Sequence, residues 1–332
     1  MESSNDAVTA GPAAPGVSFV CPVYNKERYL AAVCAAMRGQ EGGFDREFIF
    51  VDDGSNDRSV ELLRDVTRDW PDTRIVVQAN QGPSGSTNTG CDLARLSHIK
   101  LVGSDDLLAP FATDLLLRRI EETGVGAIYS IQRYYRDAAE IAYDRAAAYA
   151  EKPRVVADHL YQAMRHNFSG TTGTLFRRDA FMAAGGCDKR VFAEDFSLCL
   201  RICRHRPIAM LEAVTCWGPG EDPNRIMTGR KNQLLHDYNA ALHYFLGDNP
   251  DLPARYGRLA FRRCAGRAWK WASREEGRGW FSRFWWLNAW SYAPLFCDCA
   301  SATGETLKAF SLSRPIRAGY GAARGSGPSS GA

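Results

Sequence analysis

The chain has 332 residues, 45% of them hydrophobic and 24% charged, with a formal net charge of +3. That length allows one large domain with an appendage or two modest ones. So small a bulk charge gives no reason to expect a nucleic-acid partner. The 10 cysteines (21, 34, 91, 187, 199, 203, 216, 264, 297 and 299) contain neither a CxxC pair nor zinc-finger spacing, although 297 and 299 form a CxC pair. They read as reduced, buried thiols rather than a disulfide framework or a metal site.

In chain order, residues 1–16 are small, polar and rich in Gly, Pro and Ala, and read as a disordered leader without the basic and apolar regions of a signal peptide. An apolar run at 17–21, ended by Pro22, predicts a buried strand, and Tyr29, Leu30, Val33 and Met37 predict a helix over 27–38. A second strand is expected at 48–51, cut off by DDGSND, then a helix at 58–70 with Asp57 as its N-cap. Strands at 74–77, 99–102 and 126–130 alternate with helical stretches at 84–95 and 111–123. This alternation predicts an α/β domain over 17–218 with a mostly parallel sheet flanked by helices. Helical periodicity over 225–247 and 252–275 predicts a helical C-terminal region over 219–312, followed by a disordered tail at 313–332. The longest uncharged stretch, 284–297, contains Pro294 and is too short to span a bilayer. A cytoplasmic chain is therefore expected.

In open α/β sheets ligands bind beyond the carboxyl ends of the strands. That rule gathers four loops into one crevice: CPVYNKERYL, VDDGSNDRS, NQGPSGSTNTGCDLA and GSDDLLAP. Pro22, Val23 and Tyr24 form a stiff lip with an aromatic ring able to face a flat base. Asp53 can accept from the N–H of a pyrimidine, while Asp52 can brace the turn. Gly82, Gly85 and Gly90 allow close backbone approach. Asp105 and Asp106 offer two hard oxygen donors suited to Mg2+ or Mn2+, or one of them caps the next helix. No GxGxxG follows the first strand, which counts against a dinucleotide-binding oxidoreductase.

The ordered set strand–PVYN, VDDGS, NxGxxxxxNxG and SDDxxxP resembles the nucleotide-binding half of family 2 glycosyltransferases with the GT-A fold, over about residues 17–217. The segment 170–206, GTTGTLFRRDAFMAAGGCDKRVFAEDFSLCLRICRHR, is similar to that family's acceptor-side segment, which ends in a Glu-Asp pair opening a helix. The resemblance implies an inverting sugar transfer from a nucleotide diphosphate sugar to an acceptor hydroxyl, with Asp195 as catalytic base. It further implies that Pro22, Val23, Tyr24, Asn25, Glu27, Asp53, Gly82, Asn88, Asp105 and Glu194 line the donor site. Asp106, with Asp105, would hold a divalent metal. A uracil-bearing donor is the usual expectation, with guanine or thymine left open. The acceptor would be a glycan or a lipid-linked species in bacterial surface polysaccharide or glycolipid assembly. Two departures stand out: Gly103 occupies the first position of the family's frequent Asp-x-Asp-Asp, and Thr87 stands where Arg is frequent. Arg177, Arg178 or an arginine in 225–230 could supply the missing cation. A non-catalytic binding module of the same fold is the alternative. A nucleotidyltransferase fits less well, because CPVYNKERYL lacks glycine.

Six of the 8 tryptophans fall between Trp269 and Trp290. Nine Lys or Arg residues lie between Arg255 and Arg283, against the acids Glu275 and Glu276. This composition suits peripheral membrane contact through 255–296, or tryptophans packing the appendage with solvated arginines.

Overall fold

The computed structural model describes residues 14–168, 170–220, 230–275, 277, 279–294, 297–311 and 315–317. The apolar runs of the first half become four parallel strands, β1 (Ala14–Val23), β2 (Arg46–Asp52), β3 (Thr73–Val77) and β4 (Leu96–Leu101). β1 pairs with both β2 and β4, and β2 with β3. Pro22 does not end β1, as its missing donor suggested. The β4 ladder stops at Val20, so Pro22 stands beyond it and pairs in register only with Val51 of β2.

Side chains alternate across this sheet. Val17, Phe19 and Cys21 enter one buried cluster with Phe48 and Phe50, while Val20, Ile49 and Val51 enter the other. The first face is covered by α1 (Glu27–Arg38), α2 (Ser59–Val66) and α4 (Ala112–Thr123). The second is covered by α3 (Gly82–Leu93), by α6 (His159–His166) and by α8 (Glu194–His205). The helix expected over 58–70 is shorter, and Asp57 stands two residues before it, its Oδ1 accepting from the Ser59 N–H at 2.9 Å. Gly90 of α3 lies so close to β1 that a Cβ there would fall 2.4 Å from Val20 Cγ1.

The second half departs from a plain parallel plan. After β5 (Leu107–Leu108) and β6 (Ala127–Tyr135) come α5 (Arg145–Ala150), β7 (Arg154–Val155), β8 (Thr174–Arg177), α7 (Arg178–Ala183) and β9 (Ile208–Pro219). β8 inserts antiparallel between β4 and β6, giving the order β3-β2-β1-β4-β8-β6-β9-β5 with β7 on β9. The C-terminal helices are α9 (Lys231–Asp248), α10 (Ala254–Glu275), α11 (Arg283–Trp290) and α12 (Cys299–Leu307). The first part of the helix expected from 225 lies outside the described residues. Ala240, Leu242, Tyr256, Ala260 and Cys264 join the same apolar cluster as β1 and α8. No helix among the described residues is long and apolar enough to cross a membrane. All ten cysteines are free, and eight are buried.

Candidate active site

The loops after β1 and β2 are sewn together. The Asn25 N–H donates to Ser55 Oγ and Asn25 Oδ1 accepts from the Asn56 N–H, both at 2.9 Å. The Lys26 N–H donates to Ser59 Oγ, the Glu27 N–H to Asp57 Oδ2, and Glu27 Oε2 accepts from the Arg58 N–H. Asn25 holds this crossing with a φ of +52°, a conformation asparagine tolerates better than most residues. Asn25 and Glu27, expected at the donor, thus present their side chains to the neighbouring loop. Pro22 and Val23 end β1 at the base of this seam, and Tyr24 leaves it with its ring exposed.

Asp53 is buried and brackets the next loop. Its Oδ1 accepts from Gln78 Nε2 at 2.7 Å and from the Gln81 N–H at 2.8 Å, while Asn80 Nδ2 donates to its carbonyl. Burial pushes the Asp53 carboxyl above its ordinary value, opposed by these donors and by the Gly82 amide. Asp52 braces the turn, its Oδ1 accepting from the Ser55 N–H, while its buried Oδ2 has no partner among the described residues. Gly82 opens α3 with a φ of +74°, a left-handed turn that favours glycine. Asn88 faces away from this loop. Its Nδ2 donates to the Cys187 carbonyl at 3.0 Å and its Oδ1 accepts from the Cys187 N–H at 2.7 Å.

At the end of β4 the two acids have different neighbours. Asp105 Oδ2 pairs with Lys26 Nζ at 2.5 Å, in a pair almost closed to solvent. Asp106 accepts from Gln132 Nε2 at 2.8 Å through Oδ1 and from Thr172 Oγ1 at 2.5 Å through Oδ2. Thr172 Oγ1 also accepts from the Gly103 N–H at 2.8 Å. A Cβ on Gly103 would lie 2.7 Å from Asp106 Oδ2, so the glycine at this position makes room for the Asp106 carboxylate. Two adjacent carboxylates are hard ligands that suit Mg2+ or Mn2+. No group of three or more His, Cys, Asp or Glu side chains placed to hold a metal ion exists among the described residues. Asp105 and Asp106 alone could supply only part of the shell of such an ion.

Glu194 and Asp195 open α8, where a helix N-terminus favours negative charge. Burial, and then the neighbouring Asp195 charge, push the Glu194 carboxyl up to about 7. Asp195 is also raised, mainly by burial, although its carboxylate accepts from the Phe196 and Gly170 N–H groups. Three consecutive residues reach three of the four acids. The Gly170 N–H donates to Asp195, Thr171 Oγ1 to Glu194 Oε1 at 3.4 Å, and Thr172 Oγ1 to Asp106. Since neighbouring Cα atoms are about 3.8 Å apart, Asp106 at the strand end and the helix-start acids gather around one candidate pocket.

Several members of this pocket carry no local sequence signal. Lys26, Gln132, Thr171 and Thr172 are polar residues made important by distant partners. Lys100, wholly buried in β4, donates through Nζ to the Thr172 and Thr174 carbonyls and so fixes the bridging segment. Asp237 of α9 accepts the Ala193 N–H at 3.1 Å, propping the start of α8 from the C-terminal region. Arg177 and Arg178 do not supply the missing cation. β8 runs antiparallel to β4, so Arg177 pairs beside His98, at the end of β4 remote from Asp105. There Arg177 Nη2 reaches Glu121 at 2.8 Å and Arg178 Nε the Ala94 carbonyl at 2.7 Å.

A sheet with parallel β1–β4, acids at its carboxyl edge and a Glu-Asp helix start across from them defines a GT-A-type sugar transferase. The Glycosyl transferase family 2 profile matches residues 18–184, and the chain belongs to that family. A Mycobacterium tuberculosis protein is 26% identical over 70% of this chain and 76% of its own length. The Escherichia coli chondroitin synthase is 30% identical over 36% of this chain but only 17% of its own. EpsJ of Bacillus subtilis, a glycosyltransferase, is 33% identical over 32% of this chain and 30% of its own. Among solved structures, Staphylococcus aureus TarS 1-349 with UDP-GlcNAc superposes with a TM-score of 0.62 at 13% identity, covering 91% of this chain and 93% of that one. The Pyrobaculum calidifontis mannosyltransferase PcManGT, bound to GDP-Man and Mn2+, superposes at 0.54 and 17% identity over 90% and 86%. The chain is a glycosyltransferase of this family.

Proposed function

We propose that this glycosyltransferase moves a sugar, with inversion, from a uracil-bearing nucleotide diphosphate donor to a hydroxyl of a glycan or lipid-linked acceptor. The setting would be bacterial surface polysaccharide or glycolipid assembly, at the inner face of the plasma membrane. The observation that carries the reading is the bridge 170–172, which links Asp106 to Glu194 and Asp195 in one pocket.

In this reading Tyr24 covers the base above Pro22 and Val23, and Asp53 accepts from it. Gly82 lets the backbone come close to the donor. Asn88 shapes that wall by holding the Cys187 backbone, as Asn25 and Glu27 hold the base loop. Asp106, with Asp105, would hold a divalent cation, whose charge would offset that developing on the diphosphate. Asp195 takes the proton of the acceptor hydroxyl as its oxygen attacks the anomeric carbon opposite the diphosphate. The anomeric carbon–oxygen bond breaks, the nucleoside diphosphate leaves with the bonding pair, and the centre inverts. PcManGT, bound to Mn2+, supports the cation, and TarS with UDP-GlcNAc supports the uracil.

One observation favours a second assignment of the base. Burial and the neighbouring Asp195 charge push the Glu194 carboxyl up, while Asp195 Oδ1 already accepts the Phe196 N–H. Kinetics of Asp195→Asn and Glu194→Gln separate the two, because only loss of the base removes turnover while donor affinity stays. A thermal-shift screen of UDP, GDP and dTDP sugars with and without Mn2+ tests the donor. Stabilisation by UDP sugars alone, enhanced by Mn2+, supports the reading, and stabilisation by a purine nucleotide alone refutes the uracil assignment.

A further inference from the structure

The structure divides the tryptophan-rich segment into two populations. Trp271 is buried with Phe284 and Phe310 in a small core formed by α10, α11 and the residues just after α12. Trp280, Phe281 and Trp286 instead stand 72%, 73% and 58% exposed, and Tyr292 is 62% exposed. Trp280, Phe281 and Trp286 are linked through the half-buried Trp285: Trp280 meets it at 6.0 Å, Phe281 at 5.1 Å and Trp286 at 4.6 Å between centroids. Soluble proteins rarely leave several large aromatics together in water. Phe281 projects from a backbone φ of +61°, a region bulky residues avoid.

A basic stripe runs beside this surface. Arg258, Arg262 and Lys270 lie on one exposed side of α10 at helical spacing. One direct contact links the stripe to an exposed ring, and a neighbour of Lys270 reaches another. Arg262 lies 4.2 Å over the Tyr292 ring, and Trp269, next to Lys270, meets Trp280 at 6.0 Å. None of Arg258, Arg262, Lys270 or Arg274 has a carboxylate partner among the described residues, whereas Arg58, Arg68, Arg118, Arg206 and Arg255 each have one.

We propose that this face docks on the surface of an anionic lipid bilayer. The tryptophans and Phe281 would enter the boundary between headgroups and acyl chains, and the unpaired cations would meet the phosphates. Charge complementarity selects the bilayer: a second copy would set cation against cation, and a neutral glycan would leave the stripe unanswered. The docking face is independent of the donor assignment and of the catalytic base.

The test is co-sedimentation of the full chain with vesicles of phosphatidylcholine, alone or mixed with phosphatidylglycerol. Binding to the mixed vesicles only, weakened by salt, is the expected result. The triple change Arg258→Gln, Arg262→Gln and Lys270→Gln should weaken it on the order of a hundredfold. Trp280→Ser, Phe281→Ser and Trp286→Ser together should abolish it. All six side chains are exposed, so unchanged melting and donor hydrolysis would show that the variants remain folded. Equal binding to neutral and anionic vesicles, or wild-type binding by both variants, overturns the proposal. Loss of self-association in the aromatic variant without vesicle binding would assign the face to a second copy. Retention on a soluble polyanionic glycan without vesicle binding would assign it to an acceptor. Either result also overturns the proposal.

Discussion

Replacing Thr172 by valine keeps its volume and removes one hydroxyl. That hydroxyl donates to Asp106 Oδ2 at 2.5 Å and accepts from the Gly103 N–H at 2.8 Å, and Thr172 is fully buried. Losing a donor to a charged acceptor costs about 1.5–3 kcal/mol, and an orphaned buried N–H costs about 1–3 kcal/mol. The two losses share one site, and Gln132 still holds Oδ1, so a total of about 3 kcal/mol is the working figure. The site should suffer as well, because Asp106 loses the partner that fixes its orientation. Apparent Mn2+ affinity should fall by roughly 10–100-fold. Chemical denaturation measures the first effect and Mn2+ titration of donor binding by calorimetry the second. Thr172→Ser restores the hydroxyl and should recover most of both. Valine with wild-type stability and wild-type Mn2+ dependence would show that the bridge between the acids has no energetic weight.

Other expectations follow from the same geometry. Glu194 has a raised folded-state carboxyl, so its ionised form opposes folding, and the cost develops between its ordinary 4.5 and about 7. Glu194→Gln should therefore melt higher than wild type at pH 8, with the advantage shrinking as pH falls and gone near pH 4, as followed by calorimetry. Lys100 is lowered to about 8 by burial, so the unfolded chain holds more protons above that pH. The stability difference, wild type minus Lys100→Met, should rise with pH between about 8 and 10 in denaturant titrations. Gly90→Ala would drive a methyl into Val20 and should destabilise the fold by about 1–3 kcal/mol, seen as a lowered melting temperature.

Much of the candidate site's backbone framework was legible because it is local. Strand-ending turns, the glycine of Gly82 and the acids at Asp105, Asp106, Glu194 and Asp195 follow one another within short stretches, each with a recognisable pattern. What each side chain touches depends on chain crossings that no local pattern records. Asn25 and Glu27 sit beside the base-binding lip in sequence, yet their partners come from residues 55–58. Lys26 meets Asp105 across 79 positions and Thr172 meets Asp106 across 66, so neither polar residue stood out. The candidacy of Arg177 and Arg178 failed for a topological reason: only the antiparallel run of β8 carries them to the wrong end of β4. The tryptophans resisted for a different reason. Core and surface positions in 269–290 draw on the same residue type, and only burial separates Trp271 from Trp280.

The most direct measurement is pre-steady-state transfer by Asp195→Asn, paired with donor affinity by calorimetry. If Asp195 removes the acceptor proton, the rate falls by roughly a thousandfold while donor affinity is unchanged. Wild-type turnover in Asp195→Asn would contradict the account, and a matching collapse in Glu194→Gln would move the base to its neighbour.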